Sequence, residues 1–160
     1  PYHGDFPMCG DLWFSVDGTR IFTRCGSTFR SNDLPTDVDK GDMTYSGSLQ
    51  AVGSGTDDEV SRVLWVSQSN TSGLVVALPD GDDDWTPTSP GRSAWIYDGQ
   101  YLGRKYRLPL PTFRGNPILG RFAFFASDGV TFYVVGALSP DASLQGSHVV
   151  MSMTVPDSAP

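Results

Sequence analysis

The chain has 160 residues, a formal net charge of -7 and a hydrophobic content of 39%, which suits one folded domain with a sizeable core. The acidic balance excludes a protein that binds nucleic acid through a basic surface, and no stretch approaches the roughly 18 apolar residues that cross a bilayer. Eighteen Gly, twelve Pro and a single Glu (Glu59) predict an all-β chain of short strands joined by turns.

The first predicted unit, residues 8–52, begins with a β-hairpin. Apolar strands at 10–16 and 19–23 flank the pair Asp17-Gly18. Asp-Gly between two such runs indicates a tight hairpin turn, because Gly takes a positive φ without steric cost. Two further strands are predicted in this unit, at 27–30 and 43–49.

Two cysteines lie at the open end of this hairpin. With the turn centred on Asp17, Cys9 and Cys25 fall on opposite strands, which predicts a disulfide. Such a bridge would contribute about 3 kcal/mol and would indicate an extracellular, periplasmic or cell-surface location. The alternative is a pair of free buried thiols in a reducing compartment.

The second predicted unit, residues 60–112, has the same internal order. Its sequence Leu-Trp-Val-Ser repeats the Leu-Trp-Phe-Ser of the first hairpin, so Trp65 is equivalent to Trp13. Asp-Gly is missing from this unit, and its first turn is expected at 68–72. The four strands are predicted at 62–67, 73–78, 93–98 and 101–108.

The third predicted unit, residues 117–160, returns to an Asp-Gly hairpin at Asp128-Gly129. Phe124 is its equivalent of the two tryptophans, and the three landmark aromatics are about 52 and 59 residues apart, as in a repeat array. The strands are predicted at 120–126, 130–135 and 148–155, so this unit is one strand short.

These hairpins resemble the β-propeller repeats of the YVTN type, in which Ser-Pro-Asp-Gly precedes a strand such as Arg-Val-Tyr-Val. Residues 15–18 (Ser-Val-Asp-Gly) with 20–23 (Arg-Ile-Phe-Thr) are similar, as are 126–129 with 132–135, and 115–117 (Gly-Asn-Pro) matches the lead-in. The resemblance implies a partial propeller of about three four-stranded antiparallel blades. It also implies a relation to surface-layer or envelope proteins. The alternative fold is a β-sandwich.

Three blades cannot close a ring, since propellers close with roughly 4–8 blades. Further blades are therefore expected from the same protein, another chain or a symmetric partner in a homo-oligomer. Because the sequence starts at Pro1 without a Met or a signal sequence, we expect either a processed protein or a piece of a longer one.

A calcium site is one candidate for function. Asp80, Asp82, Asp83 and Asp84 surround Gly81, and Ca²⁺ prefers oxygen ligands from a loop that turns sharply. The spacing does not match an EF-hand, and the alternative is a solvated turn.

A ligand-binding hairpin is a second candidate. Trp95, Tyr97 and Tyr101 precede the basic residues at 104–107, and aromatic rings beside hydrogen-bonding groups could hold a sugar in a lectin-like unit. The alternative is an edge strand protected by charge.

A channel site is the third candidate. Asp11, Arg62 and Arg121 stand near the starts of the three equivalent first strands, where a propeller enzyme such as a lactonase, lyase or quinoprotein places its site. No catalytic constellation is evident, and His3 and His148 are expected to be ordinary surface residues. The favoured function is therefore a non-enzymatic, secreted or cell-surface binding or structural module.

Overall fold

The computed structural model describes residues 6–31, 43–49, 62–80, 91–138 and 147–157, and this part of the chain is all-β. It forms thirteen strands and no helix. The strands are β1 (Leu12–Phe14), β2 (Arg20–Thr23), β3 (Ser27–Arg30), β4 (Tyr45–Ser48), β5 (Val63–Gln68), β6 (Val75–Pro79), β7 (Ser93–Tyr97), β8 (Arg104–Pro109), β9 (Thr112–Phe113), β10 (Asn116–Pro117), β11 (Leu119–Phe125), β12 (Thr131–Ala137) and β13 (His148–Thr154).

Three antiparallel sheets follow one another along the chain, each with its strands paired in sequence order. Sheet one is β1-β2-β3-β4, sheet two is β5-β6-β7-β8 and sheet three is β11-β12-β13. Their strand counts match the predicted four, four and three. A two-stranded hairpin, β9-β10, follows sheet two and precedes sheet three in the sequence, and it was not predicted.

The Asp-Gly turns form as predicted, and their side chains explain why. In sheet one the Asp17 carboxylate accepts hydrogen bonds from the Thr19 amide (3.0 Å) and the Ser15 hydroxyl (2.6 Å). In sheet three Asp128 accepts from the amides of Val130 and Thr131 at 3.0 and 2.8 Å. The glycine after each Asp has a positive φ, 72° and 77°, which costs glycine little strain.

Sheet two lies in the middle of a stack, with sheet one on one face and sheet three on the other. Residues of β6 and β7 point alternately to the two faces, as the period of a strand requires. The side chains on one face pack with Phe22 and Leu49 of sheet one, and those on the other face pack with Phe132 and Val134 of sheet three. The residues facing sheet one are Val75, Ala77, Trp95 and Tyr97, and those facing sheet three are Val76, Leu78, Ala94 and Ile96.

The first strands of the three sheets lie side by side, with β5 between β1 and β11. The three-sheet stack differs from the two-sheet β-sandwich that was the alternative prediction. Because β6 and β7 are buried on both faces, apolar residues stand at successive positions, 75–79 and 94–97, rather than at alternate ones.

Candidate functional site: the outer faces of the flanking sheets

The landmark aromatics join the three first strands. The rings of Trp13 and Trp65 meet edge to face with 6.1 Å between centroids, and Trp65 meets Phe122 and Phe124 in the same way at 4.9 and 5.5 Å. Trp65 also donates its indole N–H to the carbonyl oxygen of Ala123 at 2.8 Å. Trp13 therefore packs toward sheet two and Trp65 toward sheet three, whereas Phe124 contacts the preceding sheet.

The turns of the three first hairpins meet at one end of the stack. Thr71 donates its hydroxyl to the Ser127 carbonyl at 2.9 Å, and Ser72 donates to the Gly129 carbonyl at 2.6 Å. The Val16 amide donates to the side-chain oxygen of Gln68 at 3.3 Å. These bonds hold the first strands in one relative orientation.

Sheet three has an apolar outer face, opposite the face that packs on sheet two, and two phenylalanines at the first-strand edge of this face still contact the tryptophan of β5. The register places Phe124 beside Tyr133, and Val135 beside Val150. Phe122, Phe124, Tyr133 and Val150 are all exposed on this face, Val150 to 69%. Ordinary surface strands put polar residues in such positions.

Sheet one has a partly covered outer face. Phe6 stacks on Tyr45 with 3.8 Å between ring centroids, and Phe29 meets the same tyrosine edge to face at 6.0 Å. This contact lies over the outer strands β3 and β4. It leaves the first strand open, where Leu12 and Phe14 are exposed, Phe14 to 60%.

Exposed apolar side chains are concentrated at the two ends of the stack. Of the twelve large apolar residues exposed in the described part of the chain, five belong to sheet one and its flanks and five to sheet three and its flanks. The strands of sheet two contribute none. The ten are Phe6, Met8, Leu12, Phe14, Val16, Phe122, Phe124, Val130, Tyr133 and Val150. The two outer faces are therefore the candidate functional site.

The predicted disulfide between Cys9 and Cys25 is confirmed. The bridge joins the two residues with their Cα atoms 5.5 Å apart. It fixes the segment before β1 against the loop between β2 and β3, so it also holds the part of the chain that brings Phe6 to Tyr45.

The predicted calcium ligand Asp80 has a different partner. Its carboxylate accepts a hydrogen bond from the Arg24 guanidinium at 2.9 Å, and the two form a salt bridge between sheets one and two. The Val63 amide reinforces this contact by donating to the Arg24 carbonyl at 2.9 Å. Asp82, Asp83 and Asp84 lie outside the described residues. Within the described ranges, no three His, Cys, Asp or Glu side chains are grouped to hold a metal ion.

The three predicted ligand aromatics do not share a surface. Trp95 is 3% exposed and Tyr97 is fully buried, both in the core between sheets one and two, whereas Tyr101 is 76% exposed on the turn that follows. The Arg104 guanidinium lies over the Trp95 ring at 4.6 Å. The prediction of a sugar-stacking hairpin is therefore wrong for Trp95 and Tyr97, because both faces of β7 are buried.

The three predicted channel residues stand just before or within β1, β5 and β11, at the end of the stack opposite the turns. Asp11 and Arg62 are exposed and Arg121 is half-buried. His148 is exposed at the start of β13, and His3 lies outside the described residues.

Two turn carboxylates have perturbed acidity. The Ser15 hydroxyl, followed by the Thr19 amide and hydroxyl, lowers the pKa of Asp17 below its usual 3.8. Hydrogen bonds from the Thr131 side chain, and then from the Thr131 and Val130 amides, lower the pKa of Asp128 in the same way. Each bond stabilises the charged form of its carboxylate.

This acidity predicts a specific pH dependence of stability. A lowered native pKa stabilises the fold above the ordinary pKa of about 4, and this contribution disappears as the pH falls through the native value. Carboxylates titrate between about pH 5 and pH 2. As the pH is lowered through this range, we expect the double variant Asp17→Asn and Asp128→Asn to lose less unfolding free energy than wild type. Urea unfolding across that range checks this. A variant at exposed Asp157, beyond β13, is the control, and equal slopes for all three proteins would contradict the expectation.

A search against protein-family models gives no match, and a search of curated proteins gives no relative. In the part of the chain that the structure describes, no helix has the length and apolar character needed to span a membrane.

Proposed function

We propose that this chain is a non-enzymatic binding or structural module of a secreted or cell-surface protein, contributing three blades to a larger β-propeller. One observation supports this above the others. Sheet two is covered on both faces by its neighbours, whereas sheets one and three each have an apolar outer face that no described residue fully covers. Apolar patches of this kind on a soluble protein mark interaction surfaces.

The arrangement of the sheets supports the propeller in particular. Blades are four-stranded antiparallel sheets whose strands follow sequence order and whose first strands lie together around an axis. Sheets one and two have this order, and sheet three has it with three strands. The contacts of β5 with β1 and β11 are those expected between neighbouring first strands along such an axis.

The disulfide supports the location. Bridges such as Cys9–Cys25 persist in oxidising compartments and are rare in the cytosol. A secreted or cell-surface setting is the simplest one in which this bridge is stable.

The test is the mass of the chain in solution together with its binding of an apolar fluorescent dye. A module with open packing faces will either assemble or, as a single chain, bind the dye strongly. A chain that remains unassembled at high concentration and does not raise the fluorescence of the dye would contradict the proposal. Turnover of an ester, lactone or sugar substrate by the pure chain would contradict its non-enzymatic part.

A further inference from the structure

We infer that the partner for these outer faces is a second copy of this chain, arranged head to tail, so that sheet three of each copy packs on sheet one of the other. This inference rests on the proposed function and names its partner. It joins the two apolar ends of the stack to each other and leaves neither of them exposed.

The same kind of junction already occurs twice within the chain. We call the face of each sheet that bears its landmark aromatic the forward face. The forward face with Trp13 and Phe22 packs on sheet two, and the forward face with Trp65 and Leu78 packs on sheet three. Phe124 pairs with Tyr133 at the equivalent position of sheet three, so its exposed outer face is a third forward face.

Sheet one has the surface that matches this third forward face. In both internal junctions a forward face meets the opposite face of the next sheet, which bears residues such as Ala77 in sheet two and Ala123 in sheet three. The outer face of sheet one is that same opposite face. It is the only such face, in the described sheets, that no other described sheet covers.

The apolar strand rows that would meet contain no charged side chain. Two of the rows on the outer face of sheet three, and one of the rows on that of sheet one, contain no Asp, Glu, Lys or Arg. The rows are Phe124–Tyr133–Ser152, Phe122–Val135–Val150 and Phe14–Ile21–Phe29–Tyr45. Bringing such surfaces together buries apolar area without desolvating an unpaired charge.

The number of sheets limits the number of copies that can form a closed ring. A head-to-tail contact closes only if the rotation between copies returns to the start. Two copies give six sheets, inside the range of roughly 4–8 that propellers use, whereas three copies give nine. Closure therefore selects two copies, related by a two-fold axis.

The net charge of the chain provides a dependence on salt. Each copy has a formal charge of -7, so two copies repel one another at low ionic strength. The contact itself is apolar and is not weakened by screening. We expect association to strengthen as salt is added, the reverse of a complex held by ion pairs.

The experiment is sedimentation of the wild-type chain and of two variants, each blocked on one face. Wild type is expected at twice the mass of one chain. Phe14→Asp, on sheet one, and Val150→Asp, on sheet three, are each expected at the mass of one chain, because both side chains are exposed in the single chain and buried in the pair. Tyr101→Asp changes an exposed aromatic outside both faces and is expected to keep the doubled mass.

Mixing the two blocked variants is the decisive measurement. A mixed pair retains one junction in which neither chain is altered, namely Val150 of the Phe14→Asp chain against Phe14 of the Val150→Asp chain. The mixture is therefore expected to regain a two-chain species that neither variant forms alone. Circular dichroism tests whether each variant is folded. A variant that is not folded is replaced by the milder Phe14→Ser or Val150→Ser.

Three outcomes would overturn the inference. A wild-type chain that sediments singly, a loss of pairing in only one of the two variants, or a mixture that stays single each exclude the head-to-tail pair. Loss in only one variant indicates contact between like faces. If the wild-type chain is single but binds the apolar dye, pairing with a second copy is excluded and the proposed function stands. If it is single and does not raise the fluorescence of the dye, the pairing and the proposed function are both contradicted.

Discussion

Replacing Phe132 by Ala is expected to remove about 3–5 kcal/mol of unfolding free energy, the usual cost of deleting a fully buried aromatic ring. Phe132 is completely buried, lies 5.9 Å from the ring of Phe125 and packs in the cluster that joins sheets two and three. The cavity left by the ring cannot close easily, because strands fix the neighbours on both sides. Since domains are stable by only about 5–15 kcal/mol, this single change is expected to remove a large share of the total.

Urea unfolding followed by tryptophan fluorescence measures this loss. The matched control is Tyr101→Ala, which deletes an aromatic ring that is 76% exposed and should change stability by less than about 0.5 kcal/mol. A loss at Phe132 no greater than that at Tyr101 would mean that sheets two and three are not packed as described.

Removal of the disulfide is expected to cost about 3 kcal/mol, because the bridge closes a loop of sixteen residues and restricts the unfolded chain. For a chain of this size the loss corresponds to a fall in Tm of roughly 6–12 °C. The variants Cys9→Ser, Cys25→Ser and the double variant should all melt at the same lowered temperature, since either single change abolishes the same bond.

Reductant provides the internal control for this prediction. Wild type treated with reductant should melt close to the double variant, and the double variant should not respond to reductant at all. Wild type whose melting temperature is the same with and without reductant, while the thiols are shown to be free, would contradict the stabilising role of the bridge.

Much of the strand pattern could be predicted from the sequence because its causes are local. Asp17-Gly18 and Asp128-Gly129 determine two hairpins through their own side chains and a positive φ, and the apolar runs beside them form the strands. The disulfide followed from the position of the hairpin turn. The hairpin β9-β10 was missed because each of its strands has only two residues, all of them exposed, so no apolar run indicates a strand there. Its turn depends on the positive φ of Arg114 and Gly115.

The partners of individual side chains could not be predicted, because they depend on how the sheets stack. Asp80 appeared to be part of an acidic loop, but its partner Arg24 comes from another sheet, 56 residues away in sequence. Trp95 and Tyr97 appeared to be ligand aromatics, but the strand that contains them lies between two sheets. The exposed face of sheet three had a recognisable pattern: apolar residues at both odd and even positions of β11 and β12 mean that both faces of the sheet are apolar.

Burial of sheet two on both sides also affects the order in which the protein can be completed during synthesis. Residues 62–109 leave the ribosome before residues 119–154, so Val76, Leu78 and Ile96 have no cover while the nascent chain is still growing. Exposed strands of this kind are where aggregation begins and where chaperones bind. We expect chaperone contacts to fall within this interval, and a chain stopped after β8 to aggregate although sheets one and two have been synthesised.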